Sequence, residues 1–384
     1  MLRLSSWLLV LVSCVGQAMA APSSLAPPAG GGSLTDVPSA PAASTDIVDL
    51  DTLVVSGDQP GPGLWRVVSG GHTLWIVGTL EPLPRRLRWM SAEVEGLVAR
   101  SQEVVLPPAY VLDAGVGRLR GLTMVPAMLR ARRNPDGRTL AERVPQDEYA
   151  RWLPLKARYL GRDRGVERWR PIFAAHALYE AAIEQSGLDD ARVVEPVLRR
   201  AARRHQVPVT ETVVRMDIED PRGVLREFSQ SDLDDGSCFS LTLDRIEQDL
   251  ENMRARANAW ALGDVGYLRR TGFESQYRAC VQAITSHTLG QRLGLDALNE
   301  RALQAWLQAA EAALARNAST VSALPVSLLW GGTGLLARLR ERGYEIVEPD
   351  DAATAPRPSP DARDAEPEAS ADGGASGTRQ TAPR

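Results

Sequence analysis

Leu64-Trp65-Arg66-Val67-Val68-Ser69-Gly70-Gly71-His72-Thr73-Leu74-Trp75-Ile76-Val77 reads as two strands joined by a tight turn. Branched and aromatic side chains fill both arms, and the paired glycines between them accept the positive φ of a short hairpin turn. A second group of signals closes the chain. Leu324-Pro325-Val326-Ser327-Leu328-Leu329 reads as a strand, followed by a Gly331-Gly332 turn, a helix over residues 335–342 and a last strand at Tyr344-Glu345-Ile346-Val347.

Between these ends the pattern is mostly helical. Ser91 is a candidate N-cap for a helix that ends near Ser101, its hydroxyl taking a free amide of the first turn. Val94 at the third helical position rules out a full capping box, while Glu93 and Glu95 place negative charge where the helix dipole favours it. Glu103-Val104-Val105-Leu106 is the next strand. Residues 108–205 read as mostly helical, and Val207-Pro208-Val209-Thr210-Glu211-Thr212-Val213 as a strand that Pro208 confines to an edge or a start. Leu243, Ile246, Leu250, Met253, Ala257 and Trp260 form one apolar stripe; Leu295, Leu298, Ala302, Ala305, Ala309 and Ala313 form another. Strands at both ends with helices between them imply an α/β or α+β fold. Its central mixed sheet is built from N- and C-terminal strands, with a large helical middle section packed on it.

The 384 residues are 44% hydrophobic and 24% charged, enough apolar content for a real core. A net charge of -4 offers no basic footprint for nucleic acid. Lys156 is the only lysine; the arginines are interspersed with acids throughout and read as composition rather than as a binding surface. At the start, Arg3, an apolar run over residues 7–15 and Ala18-Met19-Ala20 have the order of a secretion signal cleaved after Ala20. The rival reading takes Leu11-Val12-Ser13-Cys14 as a lipobox, with Cys14 lipidated. The expected location is therefore periplasmic or secreted. No later stretch is long and apolar enough to span a bilayer. The expected organisation is residues 1–20 signal peptide, 21–61 disordered linker, 62–348 folded domain and 349–384 disordered tail, the two flanks being rich in Pro, Gly, Ser and Ala.

Cleavage leaves Cys238 and Cys280. Export to an oxidising compartment makes a disulfide between them the expected state, with two buried free thiols as the alternative. Catalytic patterns are missing. The histidines are His72, His176, His205 and His287; no two stand four apart, and there is no H-E-x-x-H, Walker loop or G-x-S-x-G elbow. His72 in its turn is expected to be solvated, and His176 in its Ala-rich helix to be packed. Gly331-Gly332-Thr333-Gly334 is read as a tight turn into a helix, with anion binding as the alternative.

Three blocks in order resemble the TraB/GumN family, over about residues 62–348: Leu64 through Leu80 with Leu87-Arg88-Trp89; Ala259-Trp260-Ala261-Leu262-Gly263-Asp264, similar to a Trp-x-x-Gly-Asp signature; and Gly334 through Tyr344. The family includes Tiki-type membrane metalloproteases, whose presumed site uses two Gly-x-x-His motifs and acidic residues to hold a metal that activates water. Here the first motif reads Gly78-Thr79-Leu80-Glu81 and the second Pro325-Val326-Ser327-Leu328, while Pro107 stands at an acidic position and Glu211 matches another. The resemblance thus implies a degenerate member without the metal-binding histidines, acting by binding, without a cofactor. Its implied partner is an envelope protein or polysaccharide component. The alternative is a hydrolase rebuilt around Glu81 and Glu211 with a divalent metal such as Mn.

Overall fold

The structure is a computed structural model that describes residues 59–85, 87–117, 121–190, 192–271, 276–330 and 334–349. The expected signal peptide with Cys14, the expected linker up to residue 58, Gly331-Gly332-Thr333 and the expected tail from residue 350 lie outside the described residues.

The chain begins with strands β1 (Leu64–Ser69) and β2 (His72–Thr79). Ser69 pairs with His72, so Gly70 and Gly71 alone make the turn, at φ of 53° and 88°. Next come β3 (Leu83–Pro84), α1 (Ala92–Ala99), β4 (Glu103–Val105) and β5 (Ala109–Asp113). Helices α2 (Val125–Ala131), α3 (Gln146–Tyr159) and α4 (Pro171–Gln185), strand β6 (Leu188–Asp189) and helix α5 (Glu195–His205) lead to β7 (Val209–Thr210) and β8 (Val213–Asp217). A helical run follows: α6 (Pro221–Gln230), α7 (Gly236–Gln248), α8 (Leu250–Leu262), α9 (Val265–Arg270), α10 (Gln276–Thr285), α11 (Thr288–Arg292) and α12 (Leu295–Arg316). The chain closes with β9 (Ser319–Pro325), α13 (Val326–Leu329), α14 (Leu335–Glu341) and β10 (Glu345–Val347).

The main sheet has the order β10-β1-β2-β9-β4-β7, so strands from both ends of the sequence meet at its centre. This is the mixed α/β sheet that the strand signals imply. β1 runs antiparallel to both neighbours, whereas β2, β9, β4 and β7 run parallel. Parallel strands need covered faces, and Thr320 through Leu324 in β9 are buried without a break. The core on this sheet includes the fully buried Trp65, Trp260 and Trp306. Leu140, Trp152, Leu178, Phe239 and Leu243 make a second core among the helices.

The Trp-x-x-Gly-Asp block proves to be structural. Trp260 donates from Nε1 to the carbonyl oxygen of Gly78 at 2.9 Å. Gly263 ends α8 in the left-handed conformation at φ 73°, which a residue without a Cβ adopts without strain. Asp264 caps α9, its carboxylate accepting from the Tyr267 amide at 2.8 Å. Cys238 on α7 and Cys280 on α10 are joined in a disulfide, as expected.

Several sequence expectations are corrected. The closing strand is Ser319–Pro325, and residues 326–329 form a helical turn instead. Ser322 and Thr320 are wholly buried within that strand, and their polarity hides it from a search for apolar runs. Residues 109–113 are a strand within the stretch read as helical, and pair in parallel with β8 as a separate ribbon. The strand expected over 207–213 is two short ones, β7 and β8. The first apolar stripe spans two helices that meet at Asp249. In α12 the buried stripe runs through Leu303, Trp306, Leu307, Ala310 and Leu314, and Ala305 and Ala309 lie at its margin. Ser91 has helical backbone angles, so its hydroxyl donates to Glu95 at 2.8 Å rather than capping an amide. His72 is half-buried, with Nδ1 2.5 Å from the Leu314 carbonyl oxygen. His176 is more than a third exposed and lies 3.2 Å from Glu180.

Candidate functional site

Four parallel strands end on one side of the sheet, where α/β proteins hold their ligands. Just past those ends lie Leu80 and Glu81 after β2, Pro107 and Pro108 after β4, Glu211 and Thr212 after β7, and Pro325 closing β9. All of them line one cleft of about 200 Å³. Arg192, just before α5, and Glu195 and Arg199, on its first turns, complete the lining. Thr212 ties the floor together: it is buried, and its hydroxyl lies 3.1 Å from the carbonyl oxygens of Leu106 and Pro107.

The two acids singled out in the sequence therefore do share a cleft. Neither is free. Arg192 Nε lies 3.7 Å from Glu81, and Arg192 Nη1 lies 3.3 Å from Glu195. Arg199 donates to Glu195 at 2.9 Å and to Glu211 at 3.0 Å. The charges alternate along one wall as Glu81, Arg192, Glu195, Arg199, Glu211. Burial raises the Glu81 pKa above the usual carboxylate range, and the nearby Asp190 and Glu195 add to it, while Arg192 opposes them. For Arg199, burial works against its charge, but the hydrogen bonds to Glu195 and Glu211 outweigh it and raise its pKa.

The sequence points to Glu81, Glu211 and Pro107; it does not single out Arg192, Glu195 and Arg199. Their spacing of three and four was visible, and such spacing places opposite charges side by side on a helix. Which distant acids they would reach was not visible.

A catalytic metal would need about three nitrogen or oxygen ligands and an open position. The residues present do not fit one. Among the described residues no group of three or more His, Cys, Asp or Glu could hold a metal ion. Pro107 offers no side-chain ligand, and Leu328 packs against the main core. The carboxylates of the cleft are already engaged by guanidinium groups. Chemically the wall can accept hydrogen bonds from hydroxyls and amides and can donate to carbonyls and anions.

The sequence model of the TraB/PrgY/gumN family matches residues 63–348, and the chain belongs to that family. No curated protein and no solved structure matches it. Among the described residues no helix is long and apolar enough to cross a membrane.

Proposed function

We propose that this chain is a non-catalytic TraB/GumN protein of the cell envelope, periplasmic or secreted, that works by binding a polar ligand in the cleft beyond its parallel strands. The observation that carries this reading is the alternating Glu81–Arg192–Glu195–Arg199–Glu211 wall. It sets a guanidinium beside each carboxylate where a hydrolase would keep carboxylates and imidazoles for a metal. Such a wall presents paired donors and acceptors, the chemistry that recognises hydroxyl- and amide-rich surfaces. A polysaccharide component or an envelope protein carries such a surface. The signal-like N-terminus supports the location.

The test is to dialyse the purified chain against Mn, Co and Zn in turn, then measure bound metal together with hydrolysis of a peptide pool. The expected result is no stoichiometric metal and no turnover. A metal held near one per chain, lost in Glu81→Ala and accompanied by turnover, would make the protein a hydrolase rebuilt around Glu81 and Glu211.

A further inference from the structure

A second cavity, of about 190 Å³, lies between the β5–β8 ribbon, α2, α6, α11 and the start of α12. It shares no lining residue with the cleft. Its wall is built from side chains such as Met128, Val224 and Phe228; Tyr110, Arg132 and His287 are its lining residues with polar side chains. Helix α6 buries none of its residues fully, so Val224 and Phe228 stand half-covered over this space. An apolar cavity of about 150 Å³ already accepts a benzene ring. This one can hold a short aliphatic chain.

Arg132, just past the end of α2, is the unusual member of the wall. It is 8% exposed, and its Nε is buried without a hydrogen-bond partner. Its guanidinium carbon lies 4.4 Å from the centre of the Trp169 ring, a contact that offsets part of the lost hydration. Burial and the neighbouring Arg133 both work against its charge. Buried cations are ordinarily paired with an anion, and no carboxylate pairs with this one among the described residues. The adjoining groove shares Met124 and Leu225 with the cavity. Four arginines line that groove, Arg130, Arg133, Arg222 and Arg226, and no acidic residue does. Such a one-sign surface concentrates anions at its mouth.

We propose that this cavity binds a small anionic amphiphile, an alkyl carboxylate whose head sits against Arg132 and whose chain lies among Met128, Val224 and Phe228. The guanidinium fork matches a carboxylate, and the apolar wall takes the chain. The exposed arginines of the groove draw the anion in, and Arg132 holds it.

The test is isothermal titration of the purified full chain with acetate, hexanoate, octanoate and 1-octanol. Octanoate is expected to bind at least about tenfold tighter than octanol, since only octanoate pairs with the buried cation. From hexanoate upward the affinity should rise about fourfold per methylene until the cavity is filled. Arg132→Met should bring octanoate down to the affinity of octanol, Arg132→Lys should keep much of the preference, and Val224→Trp should block both ligands. The proposal is overturned if octanol binds as tightly as octanoate, if acetate competes as well as octanoate, or if octanoate does not bind. If Arg132→Met fails to fold by circular dichroism, the chain-length series on the unmodified protein and Val224→Trp decide the matter.

Discussion

The Trp260 indole nitrogen donates a hydrogen bond to the Gly78 carbonyl oxygen across 2.9 Å, joining the end of α8 to the strand that leads into the cleft. The two residues lie in separate blocks that resemble the family, and the bond joins those blocks in space. Trp260 is fully buried, so its N–H requires a partner. Gly78 must lack a side chain, because an added Cβ would stand 2.6 Å from the Trp65 ring and 3.0 Å from Val326. Trp260→Phe leaves the Gly78 carbonyl without this donor and is expected to cost about 1–3 kcal/mol. Gly78→Ala overpacks the same spot and should cost about 1–3 kcal/mol. Urea unfolding of each variant measures both; losses below a few tenths of a kcal/mol would mean that the contact is not structural.

The disulfide makes a different kind of prediction. Cys238 and Cys280 are 42 residues apart in sequence, and Cys238 is fully buried beside Ile172, Phe173 and Leu233. Closing a loop of that length restricts the unfolded chain and stabilises the fold by about 2–4 kcal/mol. The double variant Cys238→Ala/Cys280→Ala should lose about that much, and reductant should lower the unmodified protein to nearly the same level. Denaturant unfolding with and without dithiothreitol compares the two, and equal stability in all three samples would refute the role.

The hairpin, the sheet drawn from both ends of the chain and the disulfide were legible because each rests on a local or compositional rule. Alternation around Gly70-Gly71 fixes a turn, and the two cysteines beyond the first twenty residues have one partner each. Strand β9 was not legible as a whole. Ser319, Thr320 and Ser322 lower its apolar signal, and what permits the burial of Thr320 and Ser322 is tertiary. The Ser322 hydroxyl donates to the Val105 carbonyl oxygen at 2.7 Å and accepts from Trp306 at 3.2 Å. The ribbon of β5 and β8 escaped for a related reason: its half-buried residues rest on α12 through Leu298 and Ala302, a contact set by the fold. In the cleft, alignment to the family pattern identified Glu81 and Glu211. The arginines that neutralise them reach across more than a hundred residues in one case and 12 in the other, and only folding decides which charges meet.

Asp235 should leave a mark on the pH dependence of stability. It is 5% exposed, and one carboxylate oxygen accepts from the Ile172 amide at 2.9 Å. Burial raises its pKa from 3.8 to about 6, against the opposing pull of that hydrogen bond and of Arg170 and Arg143. A carboxyl whose pKa is raised on folding favours the folded state when protonated. Its contribution is complete below pH about 4 and is lost as pH rises through about 6. The loss is about 3 kcal/mol. In Asp235→Asn the amide oxygen still accepts from Ile172 but cannot ionise. Relative to the unmodified protein, the variant should therefore gain about 3 kcal/mol between pH 4 and pH 7.5. Urea unfolding at the two pH values provides the comparison, and a constant difference would show that Asp235 ionises on folding as freely as in the open chain.

The charged wall of the cleft predicts weak pairwise energetics. Arg199 and Glu211 are 36% and 53% exposed, so their attraction is shared with water. A double-mutant cycle with Arg199→Ala and Glu211→Gln should give a coupling of only about 0.2–1 kcal/mol. Raising the salt to about 0.5 M shortens the screening length and should reduce it further. Glu195 is more enclosed at 18% exposed and is held by both Arg192 and Arg199. Glu195→Gln removes the shared anion and leaves two guanidinium groups facing each other's field, so it should destabilise the fold more than Glu211→Gln does. Thermal unfolding of the two single variants at low and high salt makes the comparison. If Glu211→Gln proves the more costly, the wall is organised around its exposed end rather than around Glu195, and the cleft would then owe its shape to the strand edge instead of to the start of α5.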